Sequence, residues 1–178
     1  MTEKSLFSRI QEIESLSKQH AAGLPTEVEE IDEWVGVGFR LGDFDCVAAM
    51  GQVTEILPQP SVIRVPGVKG WVLGLANIRG SLMPVLDLNG FIFAKNIKKS
   101  SRCRVLIMDQ AGVQAALLVS EVLGLHRFDA QQDGHLDVSV DAALDPFLSG
   151  AVDAESVKWN VFSVAALSQS QSFMQVLA

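Results

Sequence analysis

From Trp34 onward the apolar residues fall in short runs, some of them alternating, and turn residues, Gly or Pro among them, interrupt the runs within a few residues. Such a pattern lays no continuous stripe along a helix, but it covers one face of a short strand. Trp34 to Leu41 alternates in this way, Gly42-Asp43 marks a turn, and Phe44 to Met50 returns. Val53 to Leu57 is a third short strand, stopped by Pro58 and Pro60. Arg104 to Met108 and Val113 to Val119 form a hairpin across Asp109 to Gly112, and Glu121 to Phe128 follows as a further strand. Residues 129 to 146 form a long loop, Phe147 to Val152 and Ser156 to Phe162 a last strand pair, and Ser163 to Val176 a closing helix. No long helix alternates with the strands, which argues against a parallel α/β sheet. About ten short strands predict a mainly β fold, as a barrel or a sandwich.

The chain is organised around one stretch, Gly70 to Phe93, GWVLGLANIRGSLMPVLDLNGFIF. Val72 to Ile78 is apolar apart from Gly74 and Asn77 and predicts a buried strand. Gly80-Ser81 has the Gly-X form of a two-residue hairpin turn. Leu82 to Leu86 returns, and Asp87 can cap a short helical turn over Leu88 to Phe93. Pro84 has no N–H to give a ladder, so the return strand should lie at an edge or carry a bulge. Arg79 is the odd member, a fixed charge at the tip of an apolar hairpin. Most turn arginines are simply solvated; the alternative is a rigid hairpin presenting a guanidinium to a partner.

Ahead of the strands, Leu6, Ile10, Ile13 and Leu16 recur at helical spacing and predict a short amphipathic helix. Gly23 and Pro25 end it, and Glu27, Glu29, Glu30, Asp32 and Glu33 follow as an acidic linker. Residues 1–33 are therefore expected to be an acidic helical extension, and residues 34–178 the folded domain. The net charge of −7 argues against a general nucleic-acid binder. No apolar run reaches the roughly 18–20 residues of a membrane span, and the N-terminus lacks a secretory h-region. The cytoplasm is the expected compartment.

Catalytic chemistry has no visible carrier. His20, His126 and His135 show no metal-ligand spacing, and the two cysteines make neither a disulfide framework nor a metal site. There is no Gly-rich phosphate loop and no G-x-S-x-G elbow. Cys103, between Arg102 and Arg104, could carry a lowered thiol pKa, although a surface cysteine in a basic loop is the weightier reading. Cys46 reads as core. The run Lys95, Lys98, Lys99, Arg102, Arg104 is either a solvated loop or a patch for an acidic partner.

Leu73-Gly74-Leu75-Ala76-Asn77-Ile78-Arg79-Gly80, followed by Pro84-Val85-Leu86-Asp87-Leu88, resembles the G-x-x-N-[LI]-R-G-x-x-x-P-V-x-D-L hairpin of CheW-like chemosensory coupling proteins. Gly38 to Gly42 followed by Phe44 is similar to that family's opening strand pair. Val53-Thr54-Glu55-Ile56-Leu57 is similar to its V-x-E-I segment, and Leu118 to Val122 to its later V-D-x-V segment, with Ser120 where the family has Asp. The resemblance spans roughly Trp34 to Leu167 and implies a CheW-like fold of two small five-stranded β-barrels with short helices. It implies no catalysis, no cofactor and no metal. The implied partners are the cytoplasmic tip of methyl-accepting chemoreceptors and the regulatory domain of a CheA-type histidine kinase. Carried over by motif position, receptor contact points to Val53, Glu55, Gly74 and Arg79, in a groove between the barrels. The kinase-binding surface has no motif to place it. The leader and the Trp34-containing opening look most like coupling proteins of the type IV pilus (twitching motility) system, with a flagellar pathway as the alternative. The protein is then expected to be cytoplasmic and recruited to membrane-associated receptor arrays. Two readings from other classes stand beside this one. One is an oligonucleotide-binding barrel, which the acidic charge disfavours; the other is a thiol redox enzyme using Cys103.

Overall fold

The computed structural model describes residues 33–129, 141–154 and 156–175. Backbone proximity divides the chain into Met1–Ile31 and Asp32–Ala178. The expected leader helix, most of the acidic linker, His20, His135 and most of the long loop at 129–146 lie outside the described residues.

Ten strands form two five-stranded, curled sheets. Strands β1 (Glu33–Leu41), β2 (Phe44–Ala49), β8 (Glu121–Asp129), β9 (Leu148–Ala154) and β10 (Val157–Phe162) make the first, in the order β8-β1-β2-β10-β9. Strands β3 (Glu55–Pro58), β4 (Val72–Ile78), β5 (Ser81–Asp87), β6 (Arg104–Gln110) and β7 (Val113–Val119) make the second, in the order β3-β6-β7-β5-β4. The middle of the chain thus builds one sheet, and the two flanking stretches close the other. Helix α1 (Leu88–Phe93) follows β5, and α2 (Val164–Gln169) and α3 (Gln171–Met174) follow β10.

The packing explains why some strands alternate and others are apolar throughout. In β6, Val105 and Ile107 face the interior of the second sheet, whereas Leu106 and Met108 face a core shared with the first. In β7, Ala116 and Leu118 point inward, and Ala115, Leu117 and Val119 join the shared core. A strand buried on both faces loses the polar half of its alternation. The shared core also takes Val37, Phe39 and Leu41 from β1 and Phe162 from β10, so the two sheets are held face to face. A smaller cluster of Val47, Phe128, Val152 and Trp159 fills the first sheet's own interior.

Two expectations change. The closing helix is broken at Ser170, whose ψ of 122° is extended. Ser168 to Ser172 alternates Ser and Gln, and serine competes with helical hydrogen bonding through its side chain. The break turns Phe173 into the shared core, where its ring packs on Trp71 and Phe91. Strand β5 is not an edge strand, since it lies between β7 and β4; the irregularity falls in its partner β4, between Val72 and Gly74, next to the Leu75–Pro84 pair. Its pairing with β7 starts only at Val85. Leu75, opposite Pro84, spends its N–H and C=O on Ile63. Pro84 therefore sits where no ladder bond asks for its missing N–H.

Candidate functional site

The hairpin tip carries the charge the sequence singles out, but its turn is one residue earlier than expected. Ile78 pairs with Ser81, so Arg79-Gly80 is the two-residue loop, with φ of 51° and 88°. Positive φ at both positions is the I′ geometry that matches strand twist. The register has a physical reason: it keeps Ile78 and Met83 in the sheet's interior, and a one-residue slip would turn Met83 outward. Asn77 reinforces it by accepting the Gly80 N–H on Oδ1 at 2.8 Å. Holding a non-glycine residue in this left-handed region costs roughly 1–2 kcal/mol, so Arg79 is fixed in place by its neighbours.

Arg79 reaches Glu55, 24 positions away, with its Nη2 2.5 Å from Oε1. Glu55 opens β3 opposite Ile107 of β6, while Arg79 leaves β4. Those two strands are the opposite ends of the sheet order, so the ion pair links the ends of a curled sheet. The Ile63–Leu75 bridge draws the intervening segment onto β4 in the same region. Arg79 is 77% exposed against 22% for Glu55, which leaves guanidinium surface open while the carboxylate is held.

The other two expected site residues are placed differently. Val53 is 7% exposed and packs in the shared core beside Phe39, Leu88 and Phe162. Gly74 has φ of 141°, and a Cβ there would collide with the Ile63 carbonyl. That carbonyl accepts the Leu75 N–H at 2.8 Å. Only Glu55 and Arg79 of the four are brought into contact, while Val53 and Gly74 stand behind them in core and backbone.

Behind the hairpin, Asp87 is 1% exposed. It caps α1 through the Gly90 N–H at 2.9 Å and takes the Ile97 N–H at 2.7 Å. Burial raises its pKa, and the hydrogen bonds from Gly90, Ile97 and Asn89 oppose the rise. The raised folded value means that this carboxyl's contribution to stability is full below the ordinary carboxylate range. It is lost as pH rises through the folded value. Asp87→Asn should remove that slope from a stability–pH curve, and an unchanged slope would exclude Asp87 as its source. Asp87→Ala strands both N–H groups and should cost about 2–4 kcal/mol, read by denaturant titration. The role of Asp87 in fixing the Ile97 loop is invisible to a reading that sees only a helix cap.

Both cysteines are buried. Cys46 is fully buried, and burial pushes its thiol up to about 12, with the Asp45 charge adding to the effect. Cys103 is 2% exposed, not a surface thiol, with its Sγ near Ser100 Oγ and the Lys98 carbonyl. A thiol-reactive dye at mildly alkaline pH should label neither cysteine until the chain unfolds; rapid labelling of Cys103 in the native state would contradict its burial. His126 lies against the Trp159 ring, with centroids 4.5 Å apart. Among the described residues no cluster of His, Cys, Asp or Glu could hold a metal, and no helix is long and apolar enough to cross a membrane. Ser120, at the position where Asp was expected, gives its hydroxyl to the Arg40 carbonyl.

Comparisons with known proteins bear on the family and the fold. The family model described as the CheW-like domain matches residues 35–172. The chain is 39% identical over 170 residues to Protein PilI of Pseudomonas aeruginosa, covering 96% of this chain and 95% of that one. It is 28% identical over 116 residues to Protein FrzA of Myxococcus xanthus, covering 65% and 72% respectively. The crystal structure of the scaffolding protein TtCheW from Thermoanaerobacter tengcongensis superposes with a TM-score of 0.67 at 21% identity, over 78% of this chain and 94% of that one.

Proposed function

The chain belongs to the CheW-like domain family, and from that premise we propose that it is a non-catalytic adaptor coupling chemoreceptor tips to a CheA-type histidine kinase. The near full-length similarity to Protein PilI carries this reading and favours a pathway controlling type IV pili over a flagellar one. The physical requirement is modest: a rigid β scaffold, a fixed charge pair for register and apolar surface around it. Glu55 and Arg79 are the residues proposed to meet the receptor, with Val53 and Gly74 holding the backbone that carries them. Residues 34–178 are proposed as the domain that does this, with residues 1–33 as an acidic extension to it. Such an adaptor works in the cytoplasm, recruited to receptor arrays without inserting into the membrane.

Calorimetric titration of the full chain against the regulatory domain of a CheA-type kinase from the same genome tests the proposal. One-to-one saturable binding is expected, and no heat at tens of micromolar would overturn the kinase arm. Deleting the chain should abolish twitching and spare swimming. The reverse phenotype would transfer it to the flagellar pathway.

A further inference from the structure

Charge is segregated along this acidic chain. Residues 59–104 hold eight of its 14 Lys and Arg and only one of its 21 acids, the buried Asp87. Two of those eight are matched, Arg79 by Glu55 and Arg102 by Glu121, as Arg40 is by Asp45 and Arg127 by Glu33 outside the stretch. Among the described residues, Arg64, Lys69 and Lys99, like Lys95, Lys98 and Arg104, have no such partner, and the first three line one groove of about 330 Å³. Between them lie Val62, Val65 and Val68, the last 37% exposed.

The groove is built from two loops that are held together. Asn96 Nδ2 donates to the Gly70 carbonyl at 3.0 Å, tying the Lys95–Lys99 segment to the loop that carries Arg64 and Lys69. The same segment is pinned by Ile97 N–H on Asp87 and by Asn89 Nδ2 on the Lys95 carbonyl. Like charges at one place repel unless something opposite is supplied. Here the backbone holds them together, and nothing among the described residues neutralises them.

We propose that this groove docks an acidic amphipathic segment of a partner protein, its carboxylates meeting Arg64, Lys69 and Lys99 and its apolar side chains lying on Val62, Val65 and Val68. The valines distinguish a peptide from a nucleic acid, whose bases call for aromatic stacking faces that this groove lacks. The groove shares no lining residue with Val53, Glu55, Gly74 or Arg79, so it is a surface separate from the proposed receptor contact and does not depend on that reading.

The test is fluorescence anisotropy with the full chain and a labelled peptide of about 18 residues carrying Glu and Leu on opposite helical faces. A scrambled peptide of the same composition and a labelled single-stranded oligonucleotide are the comparisons. The amphipathic peptide should bind saturably and weaken with salt. The triple variant Arg64→Gln, Lys69→Gln, Lys99→Gln should lose about tenfold or more in affinity. Val68→Glu, which keeps every cation, should lose a similar factor, and Arg102→Gln should change little. Melting curves of each variant confirm folding, which these exposed positions should not disturb. Absence of saturation, indifference to the triple variant, equal binding of the scrambled peptide, or tighter binding of the oligonucleotide would each overturn the proposal.

Discussion

Gly74→Val should lower the melting temperature by about 10 °C. The backbone at Gly74 has φ of 141°, which side-chain-bearing residues rarely adopt, and the added Cβ would meet the Ile63 carbonyl. Relief requires moving the segment that closes onto β4 through the Ile63–Leu75 bridge, so two hydrogen bonds are put at risk. Strain plus lost bonds amounts to about 3 kcal/mol or more. For a domain of this size each kcal/mol shifts the midpoint by about 2–4 °C. A shift below about 2 °C would show that the loop yields freely and that the close approach is not structural. The same reasoning warns that lost partner binding in a Gly74 variant reports displaced backbone, not a lost contact.

Arg79→Glu should do the opposite, abolishing binding to a receptor tip with little effect on folding. The pair it breaks is largely exposed on the arginine side, and such pairs contribute about 0–1 kcal/mol. The substitution also sets two carboxylates against each other at the ends of the curled sheet. Affinity for the receptor tip should fall by about a hundredfold or more, as for a lost charge with the wrong sign in its place. The exchange Glu55→Arg with Arg79→Glu separates two roles. If the partner reads the sign of the charge, the exchanged chain regains its ion pair and still fails to bind, which is the expected result. Recovery of binding would mean that the pair only fixes geometry. A collapsed melting curve for Arg79→Glu alone would make Arg79 a structural residue.

Much of the architecture was legible because strand signals are local. Period-two alternation, Gly and Pro punctuation and the Asp87 cap marked nearly every observed element within a residue or two. Errors fell where distant parts decide. The hairpin turn slid by one residue because Gly-Ser and Arg-Gly are both acceptable loops. Burial of Met83 and the Asn77 hydrogen bond choose between them. Pro84 points to an edge strand or a bulge; the strand is interior, and the late start of the β5–β7 pairing and the irregularity in β4 let it carry the proline. The resemblance places Val53 in a groove between the barrels, and the fold packs its side chain into the core shared by the two sheets.

The sequence by itself determined that this is a strand-built chain and, through the hairpin motif, which family it belongs to, because both are written in neighbouring residues. Only the tertiary structure decided that Arg79 meets Glu55, that β6 and β7 serve two cores, and that Arg64 and Lys69 share a groove with Lys99. Those facts depend on strand order and curl. The ion pair and the groove join residues 24 to 35 positions apart, and the shared core joins strands further apart still; a local pattern carries no record of which distant strand will lie beside it.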